Sequence, residues 1–282
     1  VLVKFEGVNV GGSIKTRTAY NMICKAEEEG LLDRESIIVE PTSGNQGIGL
    51  ALVGAVRGYQ TVIIMPDSVS VERRYLVEHY GARVVLVHDA GDIGACIEEC
   101  MKRAMRMAAK NPHVFVPQQF ENVANPGVHR HFTGVEILEQ VAGPIDGFCS
   151  GVGTGGTITG VGETLKAQNP DIVIWAVEPE NAAILSGKVV GTHIQMGIGD
   201  GVVPKVLNQN IYEDIAIISD EEALKTAKEL AKKEGLLCGI SSGTNVAAAL
   251  RLARKLGKGK TVVTILPDTA ERYFSTPLFG AS

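Results

Sequence analysis

The sequence predicts an α/β protein made of two units of parallel sheet covered by helices, and three observations predict it. Short apolar runs of strand length alternate with amphipathic runs of helix length along nearly the whole chain, the pattern of successive βαβ units. The strand runs are apolar from end to end, as strands buried on both faces are. The alternation also falls into two series joined around 118–126, which divides the chain into an N-terminal domain, 1–122, and a C-terminal domain, 123–282.

The elements follow in order. An apolar strand at 1–5 runs into Asn9-Val10-Gly11-Gly12-Ser13-Ile14-Lys15. A helix follows over 13–26, with Ala19, Met22, Ile23 and Ala26 spaced three and four apart. Ser13 as its N-cap puts Lys15 in the first turn. A cation there opposes the helix dipole. A lysine held at such a place in a dry pocket has a pKa well below its usual value of about 10.4, and a neutral amine is what Schiff-base chemistry needs.

Four strand–helix pairs come next, 37–39 with 44–56, 61–65 with 71–80, 83–87 with 92–109, and 114–116 with 128–141. The second series has strands at 146–149, 172–177, 215–218 and 262–265, and helices at 157–167, 220–234 and 243–256. Between 185 and 210 the pattern lapses into a glycine-rich coil containing Gln195-Met196-Gly197-Ile198-Gly199-Asp200-Gly201. So long a coil with so little charge reads as a loop lining a site.

A net charge of −5 with scattered basic residues argues against a nucleic-acid face. No apolar run approaches the roughly 20 residues that span a bilayer. Five cysteines without framework spacing fit reduced thiols in a cytoplasm. Cys96 and Cys100 share a helix face near His88, but two ligands four apart without a third read as packing, so no metal site is expected. Val1 is not an initiator, so residues are expected before it.

Four loops at strand-to-helix turns can carry chemistry, where ligands of doubly wound folds lie. Thr42-Ser43-Gly44-Asn45-Gln46-Gly47 offers hydroxyls and backbone N–H groups to an anion at a helix start, as an ordinary capping loop would too. Gly151-Val152-Gly153-Thr154-Gly155-Gly156-Thr157 satisfies G-x-G-x-x-G, with Glu178 ending the next strand. That is the dinucleotide fingerprint, and a nicotinamide-dependent dehydrogenase is the rival it raises. Two details count against the rival: the next strand leads into Pro179 and the irregular coil, and Thr154 and Thr157 crowd hydroxyls suited to a single phosphate. The other two loops are Gly239-Ile240-Ser241-Ser242-Gly243-Thr244 and Leu266-Pro267-Asp268-Thr269-Ala270-Glu271-Arg272-Tyr273.

Taken together and in collinear order, these motifs resemble the cysteine synthase and cystathionine β-synthase group of fold-type-II pyridoxal-phosphate enzymes. The resemblance rests on N-x-G-G-S-x-K at 9–15, E-P-T-S-G-N-x-G-I-G-L-A at 40–51, and M-P with E-R-R at 65–74. It continues through Q-Q-F-x-N at 118–122, G-V-G-T-G-G-T at 151–157, G-I-S-S-G at 239–243 and E-R-Y-x-S-T at 271–276. It implies two three-layer domains with the cofactor in the cleft between them, and a mobile subdomain at 53–108.

The resemblance further implies that Lys15 holds pyridoxal phosphate as a Schiff base. Gly153, Thr154, Gly155, Gly156 and Thr157 would grip its phosphate, Asn45 its ring 3′-oxygen and Ser241 its pyridine nitrogen. Thr42, Ser43, Gly44, Gln46 and Gln119 would hold the substrate, with Gly197 beside it. The implied reaction is β-replacement through an α-aminoacrylate, with Lys15 moving the α-proton, and cysteine formation from O-acetylserine and sulfide leads. Cystathionine or lanthionine synthesis, or sulfide release from cysteine, are its siblings. A small amino-acid substrate and a homodimer are expected, with neither nucleic acid nor membrane as partner.

The chain departs from the family pattern at Val10, where proline is common, at Thr16, where aspartate is frequent, and at Gln46, in place of threonine. Asp200 stands where sulfhydrylases carry a small apolar residue. It reads either as a loop cap or as a catalytic acid that orients an amino-thiol or protonates a leaving thiol.

Overall fold

A strand apolar on both faces needs a helix layer on each, and both sheets are built that way. In the computed structural model, which describes residues 1–91, 93–188 and 190–280, nine strands form two sheets among the described residues. The chain runs β1 (Leu2–Phe5), α1 (Lys15–Glu28), β2 (Ile37–Pro41), α2 (Asn45–Arg57), β3 (Gln60–Pro66), α3 (Val71–His79), β4 (Arg83–Val87), α4 (Ile93–Lys110) and β5 (Val114–Phe115). It continues with α5 (Ala124–Val128), α6 (Gly134–Gln140), β6 (Gly147–Gly151), α7 (Gly156–Gln168), β7 (Val173–Pro179), β8 (Asp214–Ile218), α8 (Asp220–Glu229), α9 (Ile240–Leu256) and β9 (Val262–Leu266). The start of the helix expected from Asp92 lies outside the described residues.

The sheets have the orders β4-β3-β2-β5 and β1-β9-β6-β7-β8, and every pairing is parallel. Alternate residues of one strand serve opposite cores. Phe148, Ile174 and Ala176 pack with Ile158, Val161 and Leu165 of α7, while Cys149, Trp175 and Val177 pack with Ala248 and Leu252 of α9. The smaller sheet repeats the plan, with Ile38, Ile63 and Met65 toward α1 and α2, and Val39, Val62 and Ile64 toward α4. Each fully buried Ile, Leu or Val contributes about 1.5–3 kcal/mol of transfer free energy. Cys96 and Cys100 belong to that second core.

Three expectations need correction. The first strand does not join the sheet of the segment that follows it: β1 pairs with β9, so residues 2–5 sit in the five-stranded sheet. The helix expected at 128–141 begins at Ala124, because Pro126 fits a first helical turn, and includes a π-helical turn over His129–Thr133. The strand expected to stop at Cys149 runs on to Gly151, whose glycines pair in register with β7.

Candidate active site

The starts of α1, α2, α7 and α9 are linked around Lys15 by two acids that act on it: Asp268, which bonds Asn45 and lies against Gly239, and Asp200, which lies against Gly153. Lys15 is the first residue of α1, and its backbone N–H donates to Ser13 Oγ at 3.3 Å. Ser13 therefore caps from one position further out than expected, with Ile14 as the N-cap residue. Two contacts lock this helix start to the end of β9: Ile14 N–H donates to Pro267 O at 2.8 Å, and Ser13 bridges Asp268. The Lys15 side chain keeps some accessible surface, yet protein encloses it densely enough that burial lowers its pKa; the carboxylates of Asp200 and Asp268 act in the opposite sense. Asp200 shows the converse, its pKa raised by burial against the pull of Lys15 and His193. The loop acid is thus brought to the lysine.

Asp268 joins the loops. One of its carboxylate oxygens accepts from Asn45 Nδ2 at 2.6 Å and from the Tyr273 hydroxyl at 2.7 Å, and its backbone oxygen accepts from Gly239 N–H at 3.3 Å. Asn45 Oδ1 in turn accepts from Arg272 Nη1 at 2.7 Å. Both ends of the Asn45 amide therefore have protein partners, and one N–H of its amide nitrogen is left for a ring oxygen. Gly239 is required where it stands, since a Cβ there would lie 2.1 Å from the other Asp268 oxygen, which is buried without a partner. Two residues on, Ser241 sits buried in the first turn of α9.

At the start of α2, Thr42 Oγ1 accepts from Gly44 N–H at 3.2 Å, while the N–H groups of Ser43, Asn45 and Gln46 find no acceptor among the described residues. The Gln46 side chain is buried with neither amide atom partnered. Gln119 faces this loop through two residues that the motif reading left without a role. Glu40 accepts from the backbone N–H groups of Gln118 (3.1 Å) and Gln119 (3.2 Å), holding Gln118 at φ 57°. Burial pushes the Glu40 carboxyl up to about 7. Asn125 donates to Gln119 O at 2.8 Å and to Thr154 Oγ1 at 2.9 Å, tying the α2 side of the site to the α7 side. The available signal for both was a polar residue in an apolar element.

The glycine loop before α7 is pressed from three sides. A Cβ on Gly153 would lie 2.3 Å from Gly197 O, on Gly155 2.8 Å from Leu207, and on Gly156 2.0 Å from Asn125 Oδ1. The N–H groups of Gly153, Thr154, Gly155 and Thr157 find no acceptor among the described residues. Free N–H groups at a helix start, beside an amine of lowered pKa, fit a cofactor with one phosphate and one carbonyl. Glu178 does not fit the dinucleotide role: its carboxylate accepts from Leu185 N–H (2.7 Å) and Ser186 N–H (3.1 Å).

Comparisons with known proteins agree with that fit. The family model described as pyridoxal-phosphate dependent enzyme matches residues 1–268. The chain is 50% identical to cysteine synthase of Staphylococcus aureus, over 99% of this chain and 89% of that protein. It superposes on the O-acetylserine dependent cystathionine β-synthase from Helicobacter pylori with TM-score 0.93 at 35% identity, covering 98% of this chain and 89% of the other. A hydrogen sulfide-producing enzyme from Fusobacterium nucleatum gives TM-score 0.92 at 38% identity, covering 98% and 83%.

Proposed function

We infer the reaction from one premise: the chain belongs to the pyridoxal-phosphate-dependent enzymes. The reaction is β-replacement on a serine- or cysteine-derived amino acid, and its leading form makes cysteine from O-acetylserine and sulfide. The observation that carries it is the amine of lowered pKa at Lys15, set between two helix starts with free N–H groups. When bound, pyridoxal phosphate supplies a carbonyl for amine condensation and a conjugated ring that takes up the electron pair left at the substrate Cα.

The chain's residues do the rest. Lys15 would hold the cofactor covalently, the 153–157 loop its phosphate, Asn45 a ring oxygen and Ser241 the ring nitrogen. Once released, the neutral Lys15 amine takes the Cα proton as general base and later returns it. Thr42, Ser43, Gly44, Gln46 and Gln119 hold the substrate carboxylate on the other helix start, with Gly197 beside the reacting atoms. A serine hydroxyl at the ring nitrogen, unlike a carboxylate, does not enforce protonation there, which favours β-elimination over transamination.

Asp200 favours a second reading. A carboxyl whose pKa burial raises, beside Lys15, is suited to hand a proton to a departing thiolate or to orient an amino-thiol. That would turn the site toward sulfide release from cysteine or toward cystathionine formation. The deciding experiment assays the holoenzyme with O-acetylserine, O-phosphoserine, serine and cysteine against sulfide, homocysteine and cysteine. Cysteine formed fastest from O-acetylserine and sulfide supports the first reading. Turnover dominated by cysteine, and abolished in Asp200→Ala, supports the second.

We further infer a cytoplasmic homodimer: the free cysteines support a reducing compartment, and exposed apolar side chains such as Val123 and Phe132 support a subunit contact. No helix among the described residues is long and apolar enough to cross a membrane.

A further inference from the structure

Arg73 is the largest fully buried side chain among the described residues, at 1% exposure, and no carboxylate among them pairs with it. It lies on α3, in the unit of the four-stranded sheet, but its guanidinium is shared among three separate pieces of chain. One arm reaches the Ser70 hydroxyl (3.1 Å) and the thioether of Met196. Its guanidinium carbon lies over the Tyr273 ring, 4.7 Å from the centroid, and its Nε has no partner among the described residues. Met196 and Tyr273 both belong to the five-stranded-sheet unit, one in the coil between β7 and β8 and the other after β9.

An unpaired buried cation costs several kcal/mol, and an apolar side chain of similar volume is commonly as stable or more so. A role in holding the fold together does not account for it. What it touches does. Gln195 anchors the coil to its own unit, its amide nitrogen donating to Ile218 O (3.0 Å) and Asp220 (2.8 Å) and its amide oxygen accepting from the Thr244 hydroxyl (2.8 Å). The next residue, Met196, meets Arg73. Beyond it the coil turns on Gly197, Gly199 and Gly201, at φ 91°, 69° and 78°, and lies against the glycine loop through the Gly199 N–H bond to Val152 O (2.9 Å). That stretch carries Asp200 to Lys15.

We propose that Arg73 is a positioning residue that couples α3 to the 195–201 coil, so that the walls on either side of the substrate close as one. The guanidinium suits this because it spans three partners at once, and Met196 gives it a soft, adaptable counterpart. Without the link, the coil populates its binding-competent position less often. The apparent affinity for the amino acid then falls by that fraction, while a saturated enzyme still reaches full rate.

This inference rests on the enzymatic reading above, and its test separates the two. The wild-type holoenzyme is compared with Arg73→Met, Met196→Leu and the double variant, measuring kcat, KM for the amino acid and melting temperature. The expected result is a KM raised about tenfold by Arg73→Met with kcat changed far less and no loss of melting temperature. Met196→Leu raises KM in the same sense, and the double variant is no worse than Arg73→Met alone. An unchanged KM in Arg73→Met overturns the proposal, as do multiplicative effects in the double variant. If Arg73→Met fails to fold, Met196→Leu decides by whether KM rises. A wild-type chain that takes up no pyridoxal phosphate overturns the enzymatic reading and this inference together, whereas a turning-over wild type with unchanged variants ends this inference alone.

Discussion

The two helix starts that face Lys15 are made of the same materials and built to opposite ends. Before α7, each of Gly153, Gly155 and Gly156 is hemmed in, with Gly197, Leu207 or Asn125 where a side chain would begin. Before α2, Gly44 has nothing within 4 Å of its would-be Cβ. The first loop is preorganised by contact on its protein side, as suits a group that stays. The second is open on its ligand side, as suits one that comes and goes. The difference lies in what packs behind each loop, not in the loop sequences.

Substitution at the crowded loop should have the largest effect. Gly156→Ala forces a methyl to 2.0 Å from Asn125 Oδ1. We expect the purified protein to lose its cofactor colour, with affinity down about a hundredfold and more by absorbance titration. Glu40 comes next, because it holds the turn at Gln118 and Gln119 on the open side. Its folded pKa of about 7 lies above the usual carboxyl value of 4.5, so the folded state binds the extra proton between these values and loses stability as pH rises through them. Relative to Glu40→Gln, the wild type should lose about 3 kcal/mol between pH 4.5 and pH 7.5, read from denaturant melts at each pH. A difference that does not change with pH would remove Glu40 as the buried titrating group.

Asn125→Ala breaks the tie between the loops, leaving Gln119 O and Thr154 Oγ1 without their shared donor. A stability loss of about 2 kcal/mol is expected, together with weaker binding of both cofactor and amino acid. If only one of the two weakens, the loops are independent. The smallest effect belongs to Gly44→Ala. Its backbone is extended, so alanine fits, and melting temperature and colour should stay unchanged while KM for the amino acid rises severalfold. Loss of colour there would erase the contrast between the two loops.

The elements were legible because the cores demand it: Phe148 and Cys149 face opposite layers, so the strand had to be apolar throughout. The motif residues were legible for a related reason, since free N–H groups at helix starts follow from local turns. What stayed hidden is long-range. The placement of β1 beside β9 crosses the whole chain, and residues 1–5 carry no mark of which sheet they join. Asp268, Glu40 and Asn125 act through backbone or side chains up to 223 positions away, and no spacing rule reaches so far. Arg73 stood in the sequence as part of the E-R-R motif at 72–74 with no role attached, because its partners Met196 and Tyr273 lie far along the chain.

Borohydride reduction of the yellow holoenzyme, followed by peptide mass mapping, shows which amine carries the cofactor. A reduced pyridoxyl group on Lys15, and no colour in Lys15→Ala, are the expected results. A label on another lysine, or none at all, would contradict the assignment of Lys15.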